Sequence, residues 1–471
     1  MTSEHSAAPA SVDALASPDA GSDPELRSAT RKVARRLTPF LALLYFVNYL
    51  DRTNIGFAGP NGMNDELGLS EAAFGLAAGI FFIGYLLLEV PSNLALHRFG
   101  ARRWIARIMV TWGIVAAALA FVPSAGWLFT LRFLLGVAEA GFFPGIVLYL
   151  TFWFPQRERA RMTALFMAAI PISSAVGAPL SSLLIEHGEG LFGLTGWRSM
   201  FLMEGVPAVA LGVVTWFFLT DRPGDATWLE PGERRALTAA LEADDEHKSS
   251  TYHVSMRESL TSGRIWALAF VYFGIVYGLY ALGFFLPTII KGFEEQFGTS
   301  YTLLQRGLIN AIPYAVGAVA MLWWARHGDR SQERVWHVAL PAFVGGAAIP
   351  VALYLGSPAA AMAAVTVCAV GVMCALPTFW ALPTAFLTGA AAASGIALVN
   401  SVGNTAGFAA PYITGWLADL TGSQRSGLWL VGAAMVAAGV TALALRATPA
   451  PRSAKAAHEP TASRPEPARR A

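Results

Sequence analysis

Charge is what this sequence has least of. Only 14% of its 471 residues are Asp, Glu, Lys or Arg, against about 25% in ordinary soluble proteins, while 55% are hydrophobic and the mean hydropathy is +0.49. A water-soluble globular fold is excluded, and a chain that crosses a membrane many times is expected. Cysteine is almost missing: Cys368 and Cys374 share one apolar run, which leaves no disulfide framework or metal site and suggests two inert buried thiols. No G-x-x-x-x-G-K-[ST] loop surrounds Lys32, Lys248, Lys291 or Lys455, so an ATP-driven pump lacks its phosphate cradle. The histidines (His5, His97, His187, His247, His253, His327, His337, His458) fall in loops, tails or span ends, which gives a membrane enzyme no buried metal or triad constellation. No loop is large enough for the output module of a sensor, and the polar start carries no signal-peptide core.

What is present is a series of long apolar runs. A helix needs about twenty residues to cross ~30 Å of hydrocarbon, and on that ruler twelve spans are predicted, at 37–57, 72–96, 104–122, 127–149, 160–186, 199–219, 265–289, 303–325, 335–355, 359–386, 391–417 and 426–446. With both termini placed in the cytoplasm, 27 of the 33 Lys and Arg fall in cytoplasmic segments, as the positive-inside rule requires. Arg198, Lys291, Arg306 and Arg425 lie outside, and Arg52 and Arg132 lie within spans. The expected organisation is a disordered tail over 1–36, a six-helix bundle over 37–220, a cytoplasmic linker over 221–264 centred on a short surface helix, a second six-helix bundle over 265–446 and a disordered tail over 447–471. The fold class is an all-α polytopic membrane protein with two pseudo-symmetric halves.

Within this apolar background a few charges demand a reason, because an ionised side chain at the centre of a membrane helix costs about 2.5–3.5 kcal/mol on insertion scales. Asp51 and Arg52 stand side by side in the first span, and Tyr45, Asn48, Tyr49, Arg52 and Gly56 follow the i, i+3, i+4, i+7 spacing of one helix face. The fourth span repeats the oddity with Arg132 and Glu139, seven residues apart and so nearly on one face. At 1.5 Å per residue, Arg132 lies roughly 6–8 Å from the outer surface, Asp51 and Arg52 roughly 8–10 Å, and Glu139 roughly 16–18 Å. Matching depth predicts that Asp51 pairs with Arg132, which leaves Arg52 for a substrate carboxylate or for Glu139. Glu139 is the best-placed proton carrier, since moving an arginine near a buried carboxyl changes its hold on a proton. Glu89 and Glu204 have no second charge deep in their own spans and read as structural.

The second half offers amides and aromatics: Tyr272, Tyr277, Tyr280, Trp380 between Pro377 and Pro383, and Asn400 with Asn404 one helical turn on. Amides cost less to bury than charges and hydrogen-bond hydroxyl-bearing ligands. The N-terminal half would thus handle protons and a carboxylate, and the C-terminal half the remaining polar groups of a small acid.

Two loops carry a resemblance. Asn93-Leu-Ala-Leu-His-Arg-Phe-Gly-Ala-Arg-Arg103 follows span two and Ala325-Arg-His-Gly-Asp-Arg-Ser-Gln-Glu-Arg334 follows span eight. They are similar to the G-x-x-x-D-R-x-G-R-R signature of the major facilitator superfamily, matched in the first by Arg98, Gly100, Arg102 and, one place beyond, Arg103, and in the second by Asp329, Arg330 and the closing Arg334. Asn93, His97 and Ala101 depart from it. The resemblance implies that these residues pair across a cytoplasmic gate.

Four further motifs, at 48–56, 132–145, 196–205 and 400–404, resemble the anion:cation symporter family across nearly all of 37–446. The resemblance implies a proton-coupled importer of a small organic anion such as tartrate, a sugar acid or an aromatic acid. It implies proton coupling at Asp51 and Glu139, anion binding at Arg52 and Arg132, and substrate contacts at Tyr49, Tyr85, Trp380 and Asn400, beside which Asn404 shares a face. Met167-Ala-Ala-Ile-Pro-Ile-Ser-Ser174 has no amide where some sugar-acid transporters of this family place a glutamine, so a substrate poorer in hydroxyls than a six-carbon sugar acid is expected. The expected partners are the organic anion, protons and the bilayer, with no cofactor beyond the proton as coupling ion, no nucleic acid, a monomeric state and a bacterial-type inner membrane. A proton-independent facilitator or exchanger of organic anions would share this fold and lack the coupling.

Overall fold

The computed structural model describes residues 23–249, 262–331, 333–380, 382–383 and 391–447. Among them there is no strand. The first half contains α1 (Pro24–Thr53), α2 (Glu71–Phe99), α3 (Ala101–Ala118), the broken span α4 (Ala125–Glu139) and α5 (Phe142–Thr151), the pair α6 (Gln156–Met167) and α7 (Ala169–Gly188), and α8 (Gly196–Phe218). A polar helix, α9 (Pro231–Ser249), separates it from α10 (Gly263–Phe297), α11 (Leu303–Ser331), α12 (Val335–Ala352), α13 (Pro358–Phe379), the pair α14 (Ala391–Asn404) and α15 (Ala406–Thr421), and α16 (Gln424–Ala447).

Ten helical segments among the described residues are long and apolar enough to cross a membrane. The other two expected spans are helical as well, one holding Asp51 and Arg52 and the other broken at Thr405. Val319, Val90 and Leu87 stay exposed, as befits side chains that meet lipid rather than water.

The expected disordered tail over 1–36 needs correction. Asp23 accepts a hydrogen bond from the Glu25 amide at 2.8 Å and Pro24 opens the helix, the cap chemistry that starts a helix, so residues 24–36 are helical. Ala29, Val33 and Leu37 are buried at four-residue intervals. This extension lies on α9, where Ser28 donates to Glu233 at 2.6 Å and Lys32 reaches Glu233 at 2.8 Å and Glu230 at 3.0 Å. Burial works against the Glu233 charge, but the bonds from Lys32 and Ser28 outweigh it and hold the carboxyl below its usual range. Residues 1–22, 250–261 and 448–471, which include the outer part of both expected tails and the end of the expected linker, lie outside the described residues.

Glycines set the closest helix approaches. A Cβ at Gly136 of α4 would run into the Phe81 carbonyl of α2, and one at Gly84 of α2 into the Phe133 carbonyl of α4. The same device joins the two halves: Gly75 and Gly79 of α2 lie against the backbone at Pro411 and Phe408 of α15, and Gly415 against that of Glu71. Asp419 completes this seam by accepting from the Glu71 and Ala72 amides at 3.1 and 2.9 Å, donors that the first turn of α2 leaves unpaired. Lys291 donates to the Pro60 carbonyl at 2.6 Å across the same end of the molecule.

The first signature loop turns at Gly100, whose φ of +87° favours glycine. Asp221 sits against it and accepts from the Arg102 amide at 2.8 Å, so a carboxylate from the far end of the first half caps α3. The Arg98 guanidinium lies 5.5 Å from the Phe99 ring centre, that of Arg102 lies 6.0 Å from Trp216, and Arg103 is exposed. Arg330 is exposed near the end of α11, and the Asp329 side chain lies outside the described residues.

Two outcomes follow from this packing. Asp221→Ala should lower stability by about 1 kcal/mol, the usual worth of a lost cap, read as an earlier midpoint in thermal unfolding in detergent. Gly136→Leu should force α2 and α4 apart and abolish the monodisperse peak on fluorescence-detected size exclusion, because overpacking against backbone has no side chain that can yield.

Candidate functional site

The site is built from helix breaks. α1 stops at Thr53, α4 stops at Glu139 and resumes only after Gly141 (φ +84°), α6 gives way to α7 at Ala168, and α14 gives way to α15 at Thr405. Non-helical backbone at membrane depth is tolerated where it is enclosed by protein or lines a cavity. Only the break at Ala140 and Gly141 leaves helical angles. The other three are irregularities of a chain that stays in the right-handed region, and all four lie around one cavity. Gly141 is required at its break both by its φ and because a Cβ there would meet Ser92.

The cavity lies between the halves. Of the residues expected on one face of the first span, Tyr45, Tyr49 and Arg52 line it from α1 while Asn48 is buried off its wall, and Tyr85 and Glu89 face it from α2. From the second half come Tyr272 and Tyr280 on α10 and Asn400 and Asn404 on α14, with Phe82, Phe143, Met167 and Leu376 among the apolar walls. A single guanidinium therefore shares the cavity with one carboxyl, that of Glu89, among phenols, two amides and rings.

Arg52 is 7% exposed and Glu139 is fully buried. The Arg52 guanidinium grips Glu139 Oε1 with two nitrogens, Nε at 3.1 Å and Nη2 closer still, while Nη1 donates to the Tyr280 hydroxyl of the other half at 3.4 Å. Its carbon lies 5.2 Å from the ring centres of both Phe81 and Tyr85, within reach of a cation–π attraction. The second Glu139 oxygen, Oε2, has no hydrogen-bond partner. Removing one member of such a buried pair strands the other, typically at about 3–5 kcal/mol.

The expected Asp51–Arg132 pair does not form. Arg132 is fully buried and turns to α2, where it donates to the carbonyls of Ala77 at 3.0 Å and Ala78 at 3.4 Å and lies 5.3 Å from the Phe81 ring centre. The close approach at Gly136 brings those carbonyls within reach. Asp51 points away from the cavity and accepts from Trp112 Nε1 of α3 at 2.7 Å. Two residues placed at one depth meet only if they also face each other around their helix axes, and these two do not.

Of the remaining expected contacts, Tyr49, Tyr85, Asn400 and Asn404 line the cavity. Trp380 stands behind it, packed edge-on against Tyr272 with ring centres 4.9 Å apart. Glu89 lies on the cavity wall, whereas Glu204 is buried beside Asp51's helix, bonded to Asn54 at 2.9 Å and Ser181 at 2.7 Å. Trp112, Asn54 and Ser181 were missed by sequence reasoning. Asn54 alone had a usable signal, its place three residues after Asp51 on the same face.

Comparison with known proteins agrees with this architecture. A family profile described as Major Facilitator Superfamily matches residues 41–411. A protein of Agrobacterium vitis provisionally named a tartrate transporter is 49% identical over 420 residues, covering 89% of this chain and 92% of its own length. A Pseudomonas putida protein provisionally named metabolite transport protein NicT is 40% identical over 417 residues, with 88% and 94% covered. The xylose transporter XylE of E. coli, in a partially occluded inward-open structure, superposes with a TM-score of 0.65 at 17% identity, over 87% of this chain and 97% of that one. This chain is a multi-pass membrane transporter, not an enzyme, and it belongs to the Major Facilitator Superfamily.

Proposed function

We propose that the protein imports a small organic anion together with protons, by alternating access of the cavity between its two halves. The anion is a tartrate-like dicarboxylate, a sugar acid or an aromatic acid, and no cofactor takes part beyond the proton as coupling ion. The observation that carries the reading is the Arg52–Glu139 pair at the cavity wall. An arriving carboxylate competes with Glu139 for the only guanidinium that lines the cavity among the described residues. Once displaced, Glu139 must take a proton or find another cation, since a lone carboxylate is costly in this setting. Arg132, seven residues away on α4 and with Nη1 lacking a hydrogen-bond partner, is the alternative cation.

Anion entry and protonation are thereby linked through Glu139, with Asp51 as the second acid of the coupling. Tyr49, Tyr85, Asn400 and Asn404 complete the substrate site with neutral donors and acceptors, which favours hydroxyl-bearing or aromatic acids over lipids. The name of the Agrobacterium vitis relative supports the dicarboxylate end of that range. The bias of Lys and Arg toward one set of loops and the bacterial sources of both relatives support an inner-membrane protein with both termini in the cytoplasm.

In proteoliposomes under an imposed pH gradient, Glu139→Gln and Asp51→Asn should each lose gradient-driven accumulation by at least tenfold, while at least one keeps anion exchange. Undiminished accumulation in both would refute proton symport. Asn400→Leu should raise the KM for the transported anion about tenfold, the worth of one hydrogen bond, and leave the pH profile in place. Gly75→Leu should hold the seam between α2 and α15 open, so that substrate binding persists in a thermal-shift assay while transport falls at least tenfold.

A further inference from the structure

We propose that Glu89 reads the far end of the substrate, so that the cavity takes a short organic acid held by one carboxylate at Arg52 and presenting an O–H group to the Glu89 carboxylate. A second carboxylate then enters only with a proton between it and Glu89. The proposal deepens the organic-anion reading above and rests on it for the occupant of Arg52.

Glu89 differs from the other acids of the membrane interior in what surrounds it. Glu139 is held by Arg52, Asp51 accepts from Trp112, and Glu204 accepts from Asn54 and Ser181. Among the described residues no hydrogen bond and no ion pair reaches the Glu89 carboxyl. The unpartnered oxygens of Asp51 and Glu139 are sealed off, whereas Glu89, 9% exposed, stands on the cavity wall. It is an acceptor that a ligand can reach.

Its position says which part of the ligand it meets. Phe82, Tyr85 and Glu89 follow the i, i+3, i+7 spacing of one helix face, and all three line the cavity. The Arg52 guanidinium lies against the first part of that face, 6.0 Å from the Phe82 ring centre and 5.2 Å from that of Tyr85. Glu89 stands one turn further along α2, about 6 Å of rise beyond Tyr85. An extended four-carbon acid with a hydrogen bond at each end spans such a gap. Its near carboxylate takes Arg52, and its far end meets Glu89.

Charge then sets the selection. A carboxylate accepts hydrogen bonds and donates none, so a hydroxyl at the far end pairs with Glu89 directly. Two carboxyls sharing a site resist ionising together, and the other polar groups on the cavity wall, the phenols of α1, α2 and α10 and the amides of α14, are uncharged. A second carboxylate therefore finds no second cation. One proton taken up from water, placed between a Glu89 oxygen and a ligand oxygen, replaces the repulsion by a charge-assisted O–H···O bond. That proton is distinct from any held by Glu139.

Calorimetry of the purified full-length protein at neutral pH, in buffers of different ionisation enthalpy, counts the protons bound with each ligand. The probes are tartrate and threonate, its analogue with CH2OH in place of one carboxylate. Tartrate should take up about one proton more than threonate. In Glu89→Gln that difference should vanish and the tartrate-to-threonate affinity ratio should rise about tenfold, because an amide donates to a carboxylate without a proton. Glu89→Asp, which keeps the carboxyl, should retain the difference. Glu89→Met should abolish it too, so that misfolding of one variant leaves the other to decide. Equal proton uptake with the two probes in the wild type, a difference that survives loss of the Glu89 carboxyl, or wild-type binding of neither probe overturns the proposal. Glu139→Gln should change proton uptake with both probes alike and leave their difference standing. That difference without gradient-driven uptake would overturn the symport reading alone, and gradient-driven tartrate uptake without it would overturn the role of Glu89 alone.

Discussion

Everything near the centre of this molecule answers to one constraint, that charge enclosed by apolar helices has to be balanced where it stands. The Arg52–Glu139 pair is the main expression of it. It ties α1 to the end of α4, and through the bond to Tyr280 it touches the second half as well. The break after Glu139, with Gly141 packed on Ser92, ends the helix at that carboxyl, which stands behind the cavity wall in the grip of Arg52. A ligand anion can enter only by disturbing this balance, so substrate binding and proton affinity are properties of one arrangement.

The two halves serve that arrangement differently. Every fully enclosed ionisable group of the cluster belongs to the first half, whereas the second contributes phenols, amides and rings. A cavity with one guanidinium holds a carboxylate firmly. Its neutral polar groups then discriminate among the bodies attached to that carboxylate, because a buried hydrogen-bonding group left unpaired is penalised more than a matched one is rewarded.

Much of this was legible from residue spacing. The face formed by Tyr45, Tyr49 and Arg52 is the face that lines the cavity, and Asn400 and Asn404 share theirs as expected. Spacing fixes depth and direction on one helix and says nothing of how neighbouring helices are rotated, which is why Arg132 was assigned to Asp51 rather than to the carbonyls of α2. The helical extension over 24–36 was hidden for a different reason. A polar average over thirty-six residues conceals Ala29 and Val33, which carry the buried face of Leu37 back along the extension. Trp112 and Ser181 come from distant helices, and no pattern in the chain joins them to Asp51 or Glu204.

The glycine seam between α2 and α15 has a mechanical meaning. Along most of its length two backbones touch without intervening side chains, so parting them demands no rotamer change and no shedding of counter-ions. It works as a latch governed by fit along its glycines and fastened at one end by the Asp419 carboxylate, so the point where acid loosens it is that end, where a protonated carboxyl holds the Glu71 and Ala72 amides less strongly.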